Sequence, residues 1–169
     1  VSLGSDFMDV NSHFIDLEDT LSTGHRWIDN FIGGYTPKTL NVYCGFSNVG
    51  KSAIMCSDAA SFVKRGFDVI YISAEMAEQR VMQRIGANIL DIPIDDYRNQ
   101  NNRFKISKLI ERSKTNPTPL GSLTVKQFPT SVATVNDIET FYKKVCSVKG
   151  IKPRVIFVDY INILTTKNK

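Results

Sequence analysis

Gly45-Phe46-Ser47-Asn48-Val49-Gly50-Lys51-Ser52 fits the pattern G-x-x-x-x-G-K-[ST], the phosphate-binding P-loop. Residues 40–44 before it are mostly apolar, as in a short buried strand, and residues 52–65 after it are typical of a helix. Where a strand turns directly into a helix, the unpaired backbone N–H groups of the first helical turn point toward one anion. The same letters can occur by chance in a turn rich in Gly, Ser and Asn, but the flanking elements favour a site for nucleotide phosphates.

Each part of this motif has its own expected role in binding a nucleotide. Gly45 and Gly50 permit backbone angles and a close approach that a Cβ atom would block. Between them, Phe46-Ser47-Asn48-Val49 is expected to contribute to the turn around the phosphates. Lys51 is a candidate catalytic residue, with its ammonium over the β- and γ-phosphates, and the Ser52 hydroxyl is a candidate Mg²⁺ ligand. The expected cofactors are therefore ATP, or another NTP, and Mg²⁺.

The bulk composition is that of an ordinary soluble chain of one domain. The 169 residues suffice to bury a sizeable core, and 42 % are hydrophobic and 22 % charged. No apolar run approaches the length of a membrane span and no signal-peptide pattern opens the chain, so we expect no membrane partner and a cytoplasmic location. The net charge of +4 is compatible with a nucleic-acid partner without identifying one.

The three cysteines also favour a cytoplasmic compartment. Cys44, Cys56 and Cys146 are odd in number and widely spaced, and they form no C-x-x-C motif. This spacing predicts reduced thiols, two of them in the core.

Hydrophobic periodicity predicts helices that alternate with strands. The predicted helices cover residues 25–32, 52–65, 77–90, 104–114 and 135–148, and the predicted strands cover residues 40–44, 67–73, 123–127 and 155–159. A capping box is predicted at Thr134-Val135-Asn136-Asp137, and the polar residues 95–102 are expected to be a connection. The alternation predicts an α/β fold in which a parallel sheet carries helices on both faces.

An acidic residue ends the last predicted strand, Val155-Ile156-Phe157-Val158-Asp159. Its continuous apolar run is typical of a strand buried on both faces, and such a strand delivers its last side chain to the carboxyl edge of the sheet. By itself, an Asp in this position would more often cap a turn. Downstream of a P-loop, it indicates a carboxylate that holds Mg²⁺ through water, and Asp159 is therefore the second candidate metal residue beside Ser52.

A second acidic residue, Glu75, follows the strand predicted after the P-loop helix. In a parallel sheet it emerges at the same edge as Gly50 and Asp159. A carboxylate at that edge can orient and deprotonate a water for in-line attack on the γ-phosphorus, which makes Glu75 the candidate catalytic base. The simpler interpretation is an acid in solvent or in the first turn of a helix, where the helix dipole favours it.

Several motifs taken together resemble the RecA-type motor core of DnaB-type replicative helicases. Besides the P-loop, these motifs are Thr23-Gly24, Ile28-Asp29, Gly33-Gly34, Ser73-Ala74-Glu75-Met76 and Val158-Asp159-Tyr160. Within that family the resemblance is strongest to the members from T-even phages. It is carried there by Asn48-Val49-Gly50-Lys51-Ser52, Tyr71-Ile72-Ser73, Glu75-Met76-Ala77-Glu78, Ala87-Asn88 with Leu90-Asp91, and Val125-Lys126-Gln127 with Pro129-Thr130. The resemblance covers most of residues 23–164.

The resemblance implies a hexameric ring that hydrolyses NTP at subunit interfaces, moves along single-stranded DNA and unwinds duplex DNA at the replication fork. The family's P-loop lysine, Mg²⁺-binding serine and catalytic glutamate fall on Lys51, Ser52 and Glu75, and its second-strand aspartate falls on Asp159. No role is carried onto Asn162. The implied partners are single-stranded DNA, further copies of the chain, a primase and a helicase loader, in the host cytoplasm if a phage encodes the protein.

The resemblance also suggests a domain organisation. Residues 1–22 are expected to be an N-terminal arm or linker, and residues 23–169 the N-terminal part of a RecA-like ATPase domain. In this family the DNA-binding loops, the γ-phosphate sensor and the arginine finger follow the segment that ends the present chain. We therefore expect residues 1–169 alone to bind Mg-ATP weakly and to hydrolyse it near background, as an incomplete motor.

Three other functions stay open at the level of sequence. A small-molecule kinase would need an arginine-rich lid, for which only Arg80 and Arg84 are available. A recombinase of the RecA or RadA type shares the core, although Glu75-Met76-Ala77-Glu78 and Asp159-Tyr160 favour a helicase. A fragment that binds nucleotide without turnover is the third. One group of basic residues is predicted to be the solvated face and end of a helix rather than a DNA site: Lys143, Lys144, Lys149, Lys152 and Arg154.

Overall fold

The computed structural model describes Met8 and residues 20–115, 117–129 and 133–160. Contacts divide the chain into two units, residues 1–43 and residues 44–169. The helices are α1 (Arg26–Ile32), α2 (Lys51–Lys64), α3 (Glu78–Leu90), α4 (Ile94–Arg98), α5 (Arg103–Lys114) and α6 (Val135–Lys149), with a 3₁₀ turn at Gln100–Asn102. The strands are β1 (Val69–Ser73), β2 (Leu123–Gln127) and β3 (Val155–Asp159).

The first unit is built around the short helix α1. Gly33 is its C-cap, which agrees with the helix predicted over residues 25–32. Asp29 in its first turn accepts hydrogen bonds from the Ser22 hydroxyl at 2.6 Å and from the Thr23 N–H at 2.8 Å. The Thr23-Gly24 and Ile28-Asp29 motifs therefore act together, because the carboxylate of Asp29 holds the chain that enters the helix.

The strand predicted over residues 40–44 is wrong, because the structure has no strand there. Leu40 and Val42 are 77 % and 64 % exposed. A buried strand needs a hydrogen-bonding neighbour and cover on its faces. The described residues of the first unit supply neither for residues 40–43. Apolar composition alone was therefore insufficient to predict a strand at residues 40–44.

The second unit contains a parallel sheet with the strand order β2-β1-β3. In its register Ser73 lies opposite both Gln127 and Asp159. All five residues of the central strand β1 are buried, which agrees with its continuous β-branched and aromatic composition. The predicted parallel sheet is thus confirmed, and the ends of the three strands are aligned at one edge.

Helices cover both faces of this sheet, as predicted. Alternate side chains of β1 point to opposite faces. On one face Ile70 and Ile72 form a buried cluster with Val145 of α6. On the other face the Tyr71 ring stacks on Phe157 at 5.8 Å between centroids, and Phe157 in turn contacts Phe62 of α2 at 6.2 Å. The P-loop helix therefore packs on the face that carries the odd-numbered residues of β1.

The segment predicted to be a polar connection forms α4 and a 3₁₀ turn instead. Pro93 supplies the cap before α4, and Asp95 and Asp96 occupy its first turn, where carboxylates interact favourably with the helix dipole. Tyr97 packs so closely on α3 that a Cβ atom at Gly86 would lie 2.5 Å from the Tyr97 hydroxyl oxygen. Local capping and this contact outweigh the polar composition.

Two of the predicted helices, α5 and α6, bury fewer apolar side chains than amphipathic helices of their length usually do. None of α5 is fully buried: Ile106 and Leu109 are half-buried, and Ile110 is 40 % exposed. At the start of α6, Val135 is 67 % exposed, although Val145 further along is buried. Periodicity identifies the side of a helix that would be buried, but the amount of burial depends on what packs there.

The capping box at the start of α6 is confirmed. The Thr134 hydroxyl accepts from the Asp137 N–H at 3.2 Å, and the Asp137 carboxylate accepts from the Thr134 N–H at 2.8 Å. Both bonds satisfy N–H groups that the helix itself leaves unpaired.

The cysteines are free, as predicted, but the expectation of two core cysteines is wrong. Cys56 is buried, whereas Cys146 is half-buried and Cys44 is exposed. Cys44 lies in the segment that forms no strand, which explains its exposure. In the part of the chain that the structure describes, no helix combines the length and the apolar character needed to cross a bilayer.

Candidate active site

The P-loop forms a tight turn that leads directly into α2. Gly50 is the N-cap of the helix, with φ of 99°, and its carbonyl accepts from the N–H groups of Ala53 at 2.9 Å and Ile54 at 3.0 Å. The N–H groups before them have no acceptor within the helix and point out of its positive end. A Cβ atom at Gly45 would lie 2.9 Å from Cγ2 of Val49, so an alanine there would force the Val49 side chain to move.

The Lys51 side chain folds back across this turn. Its ammonium donates to the carbonyl oxygens of Gly45 at 2.8 Å and Phe46 at 2.6 Å. An ammonium has three N–H donors, so one remains for a further acceptor. The side chains of Phe46 and Val49 are 89 % and 62 % exposed, so these residues offer the turn their backbone rather than their side chains.

The two predicted acids lie at the carboxyl edge of the sheet. Asp159, the last residue of β3, is only 4 % exposed and lies opposite Ser73 in the register. Glu75 is exposed and follows Ser73 by two residues. The structure therefore brings the two acids to one edge, while their roles stay predictions.

The turn that carries Glu75 is held at both ends. Before it, the Ser73 hydroxyl accepts from the N–H of Met76 at 2.9 Å. After it, the Glu78 carboxylate accepts from the Gln127 N–H at 3.0 Å and from the Lys126 ammonium at 3.4 Å. The bond from the Gln127 backbone, followed by Lys126, lowers the pKa of Glu78 below its ordinary value. This role of Glu78 was not predicted from the sequence.

A buried hydrogen-bond chain, not predicted from the sequence, connects α2 with Asp159. The Tyr71 hydroxyl donates to Oδ2 of Asp159 at 3.0 Å, and the Cys56 thiol donates to the Tyr71 hydroxyl at 3.8 Å. Burial strongly raises the pKa of Tyr71 and raises that of Cys56 to about 11, so both stay protonated near neutral pH. The sequence alone offered no signal for this bond, because Tyr71 and Asp159 share a sheet face only when β1 and β3 are parallel and in this register.

The donor set suits Mg²⁺. Among the residues that the structure describes, no three His, Cys, Asp or Glu side chains converge in a cage that could hold a metal. Mg²⁺ usually takes one or two protein oxygens and fills its other positions with water and phosphate oxygens. The Ser52 hydroxyl, one helical turn before Cys56 on α2, and the Asp159 carboxylate beyond Tyr71 are hard oxygen ligands of this kind.

Two comparisons with known proteins agree with this geometry. Residues 20–169 match the family model of the DnaB-like helicase C terminal domain. The chain is also 39 % identical over 136 residues to a DnaB-like replicative helicase of Enterobacteria phage T4, an alignment that covers 78 % of this chain and 28 % of that relative. The chain thus spans a minor part of the relative's length. The extent of the family match shows that this chain belongs to the DnaB-like helicase C-terminal domain family.

Proposed function

We propose that the chain supplies the nucleotide site of a replicative DNA helicase. In this proposal NTP hydrolysis at the P-loop drives movement along single-stranded DNA and unwinding of the duplex at the fork. The observation that carries it is the presence of an open helix N-terminus with Lys51 and of two carboxylates at the adjoining sheet edge, in a chain of this family. The family supports a helicase over a recombinase or a small-molecule kinase.

The N-terminal turn of α2 is the proposed phosphate site. Its unpaired N–H groups and the helix dipole favour an anion there. Lys51 is held by two carbonyl oxygens of its own turn, which makes its ammonium available close to the same N–H groups. Exchange of these neutral acceptors for anionic phosphate oxygens gives stronger hydrogen bonds, in which both the donor and the acceptor are charged. These interactions therefore favour binding of ATP, or another NTP, at this turn.

The metal and base roles are proposed for three other residues. Ser52 and Asp159 would hold Mg²⁺, which neutralises charge at the β- and γ-phosphates. Glu75 is exposed, so its carboxylate is accessible to a water molecule that attacks the γ-phosphorus. The bonds made by Ser73 and Glu78 restrict the turn around Glu75, which limits the positions that this base can take.

The proposed partners follow from the family. They are single-stranded DNA, five further copies of the protein in a hexameric ring, a primase and a helicase loader. The T4 relative is named a replicative helicase, which supports the fork as the place of action.

The test compares Lys51→Ala with Lys64→Ala in the full-length protein. Lys64 is exposed and lies in the last turn of the same helix, so it is a matched control for charge and helix position. We expect Lys51→Ala to weaken Mg-ATP binding in calorimetry roughly 10- to 100-fold and to abolish unwinding of a forked duplex. Lys64→Ala should leave both unchanged. Equal Mg-ATP affinity in wild type and Lys51→Ala would refute the site.

A further inference from the structure

Three side chains from three elements form one buried chain in the second unit. Cys56 of α2 is 1 % exposed, Tyr71 of β1 is 0 % exposed and Asp159 of β3 is 4 % exposed. The hydroxyl of Tyr71 is at its centre, as acceptor from Cys56 and donor to Asp159. The Cys56 S–H donates a hydrogen bond to the Tyr71 oxygen. The hydroxyl hydrogen of Tyr71 is therefore directed to the Asp159 carboxylate.

Tyr71 controls only one side of the Asp159 carboxylate. Among the described residues, Tyr71 is the one hydrogen-bond partner of this carboxylate, and it contacts Oδ2. The other oxygen, Oδ1, has no protein donor in that part of the chain. A carboxylate with one oxygen fixed in the protein and the other available is suited to hold a metal-bound water in a defined direction.

The ring of Tyr71 has a separate function in packing. It stacks on Phe157, which contacts Phe62 of the P-loop helix. A phenylalanine at position 71 would keep these ring contacts, so packing does not require the hydroxyl. The hydroxyl and the ring can therefore be separated by experiment.

We propose that Tyr71 is a positioning residue for Mg²⁺ binding, because its hydroxyl fixes Oδ2 of Asp159 and leaves Oδ1 for the metal-bound water. The inference rests on the proposed nucleotide site, in which Asp159 acts with Ser52. Ser52 lies one helical turn before Cys56, so the buried chain also sets where β3 ends relative to the start of α2. Loss of the hydroxyl should free the carboxylate to rotate and weaken its hold on the metal.

The test is Tyr71→Phe in the full-length protein, with ATP affinity measured in EDTA and across a Mg²⁺ titration. We expect affinity in EDTA to stay within twofold of wild type, since the phosphate turn is untouched. The Mg²⁺ concentration at half-maximal effect should rise about five- to tenfold, the scale of the net contribution of one typical hydrogen bond. Tyr97→Phe is the matched control, because the Tyr97 hydroxyl contacts α3 at Gly86 and should leave the Mg²⁺ requirement unchanged.

A double-mutant cycle shows whether Tyr71 acts through Asp159. Asp159→Asn should raise the Mg²⁺ requirement, and Tyr71→Phe added to it should raise it no further. Additive effects of the two changes would overturn the inference, as would a folded Tyr71→Phe protein with the wild-type Mg²⁺ requirement. If Lys51→Ala also binds Mg-ATP normally, the proposed nucleotide site is wrong. If Lys51→Ala weakens binding but Tyr71→Phe keeps the wild-type Mg²⁺ requirement, the site is supported and only the role of Tyr71 is wrong.

A measurement on the wild-type protein tests the inference without depending on whether a variant folds. The buried Tyr71 hydroxyl proton should give a slowly exchanging NMR signal, shifted downfield by its bond to a carboxylate. Addition of Mg²⁺ to the ADP-bound protein should shift this signal, since the metal draws charge from Asp159. A signal that does not move at saturating Mg²⁺ would contradict the proposal.

Discussion

The Ala74 N–H donates to the backbone carbonyl of Asp159 at 2.9 Å, one residue beyond the register pair of Ser73 and Asp159. The hydrogen bonding between β1 and β3 therefore continues to the residue just before Glu75. Separation of the two backbones next to these candidate acids would require this bond to break. The backbones that carry the candidate base Glu75 and the candidate metal ligand Asp159 are thus expected to stay at a fixed separation, while the exposure of the two side chains differs greatly.

Glu75→Gln should separate binding from turnover. The amide keeps the size and hydrogen bonding of the side chain but removes the base, so Mg-ATP should bind with unchanged affinity. In the full-length protein the single-turnover rate should fall about 10²- to 10⁴-fold, the usual contribution of a general base. Glu111→Gln is the control, since Glu111 is an exposed acid of α5 paired with Lys114. A proportional loss of affinity and rate would argue against the role of Glu75.

Gly50→Ala should damage both the fold and the site, whereas Gly150→Ala should damage only the fold. Both glycines have positive φ, 99° and 65°, and open space where a Cβ atom would lie. An alanine at either position costs about 1–2 kcal/mol in unfolding free energy because of backbone strain. Gly50 caps the P-loop helix and Gly150 ends α6. Denaturant titration should give similar losses, and Mg-ATP binding should weaken only in Gly50→Ala.

Sequence reasoning predicted the elements in which local and tertiary preferences agree. The strand that became β1 is β-branched and aromatic throughout, and it is buried on both faces. At the start of α6, Thr134 and Asp137 form the predicted box because both partners lie within one turn. The P-loop could likewise be found from its glycines and lysine, since the turn they form is local.

Features that depend on contacts between distant residues could not be predicted from the sequence. The strand predicted at residues 40–44 needed a neighbour that composition cannot supply. The bond from Tyr71 to Asp159 depends on the β1–β3 register, which joins residues 88 positions apart. Tyrosine in a strand is usually explained by packing, and its stacking on Phe157 would have satisfied that explanation. Only the register shows that its hydroxyl reaches a carboxylate.

Glu78→Gln should lower stability more at neutral pH than in acid. Because the folded protein lowers the pKa of Glu78 below its ordinary 4.5, the stabilisation is fully present above that value and is lost as the pH falls through the folded pKa. The side chain is 40 % exposed, so solvent screening limits the loss at pH 7 to about 0.5–1 kcal/mol. Unfolding titrations at pH 7 and pH 3 should show a larger difference from wild type at pH 7 than at pH 3.

Glu139→Gln is the control for this pH dependence. The pKa of Glu139 is also lowered, by the exposed Lys143 on the same helix, but no backbone N–H contributes to that shift. Its effect should be smaller and should vanish at high salt. If both variants behaved alike, the bond between Glu78 and the Gln127 N–H would not contribute measurably to the free energy of unfolding.

Thiol labelling should report whether the buried chain opens. A variant with Cys44→Ser and Cys146→Ser leaves Cys56 as the sole cysteine of the 169 residues. Burial raises the pKa of Cys56 to about 11, so at pH 8 almost none of it is the reactive thiolate. Its reaction with a disulfide reagent should therefore be at least about a hundredfold slower than that of exposed Cys44 in a matched Cys56→Ser, Cys146→Ser variant. Denaturant should equalise the two rates. Fast labelling of Cys56 in the native protein would mean that α2 separates readily from β1, and a carboxylate positioned through Tyr71 could not then be held in one orientation.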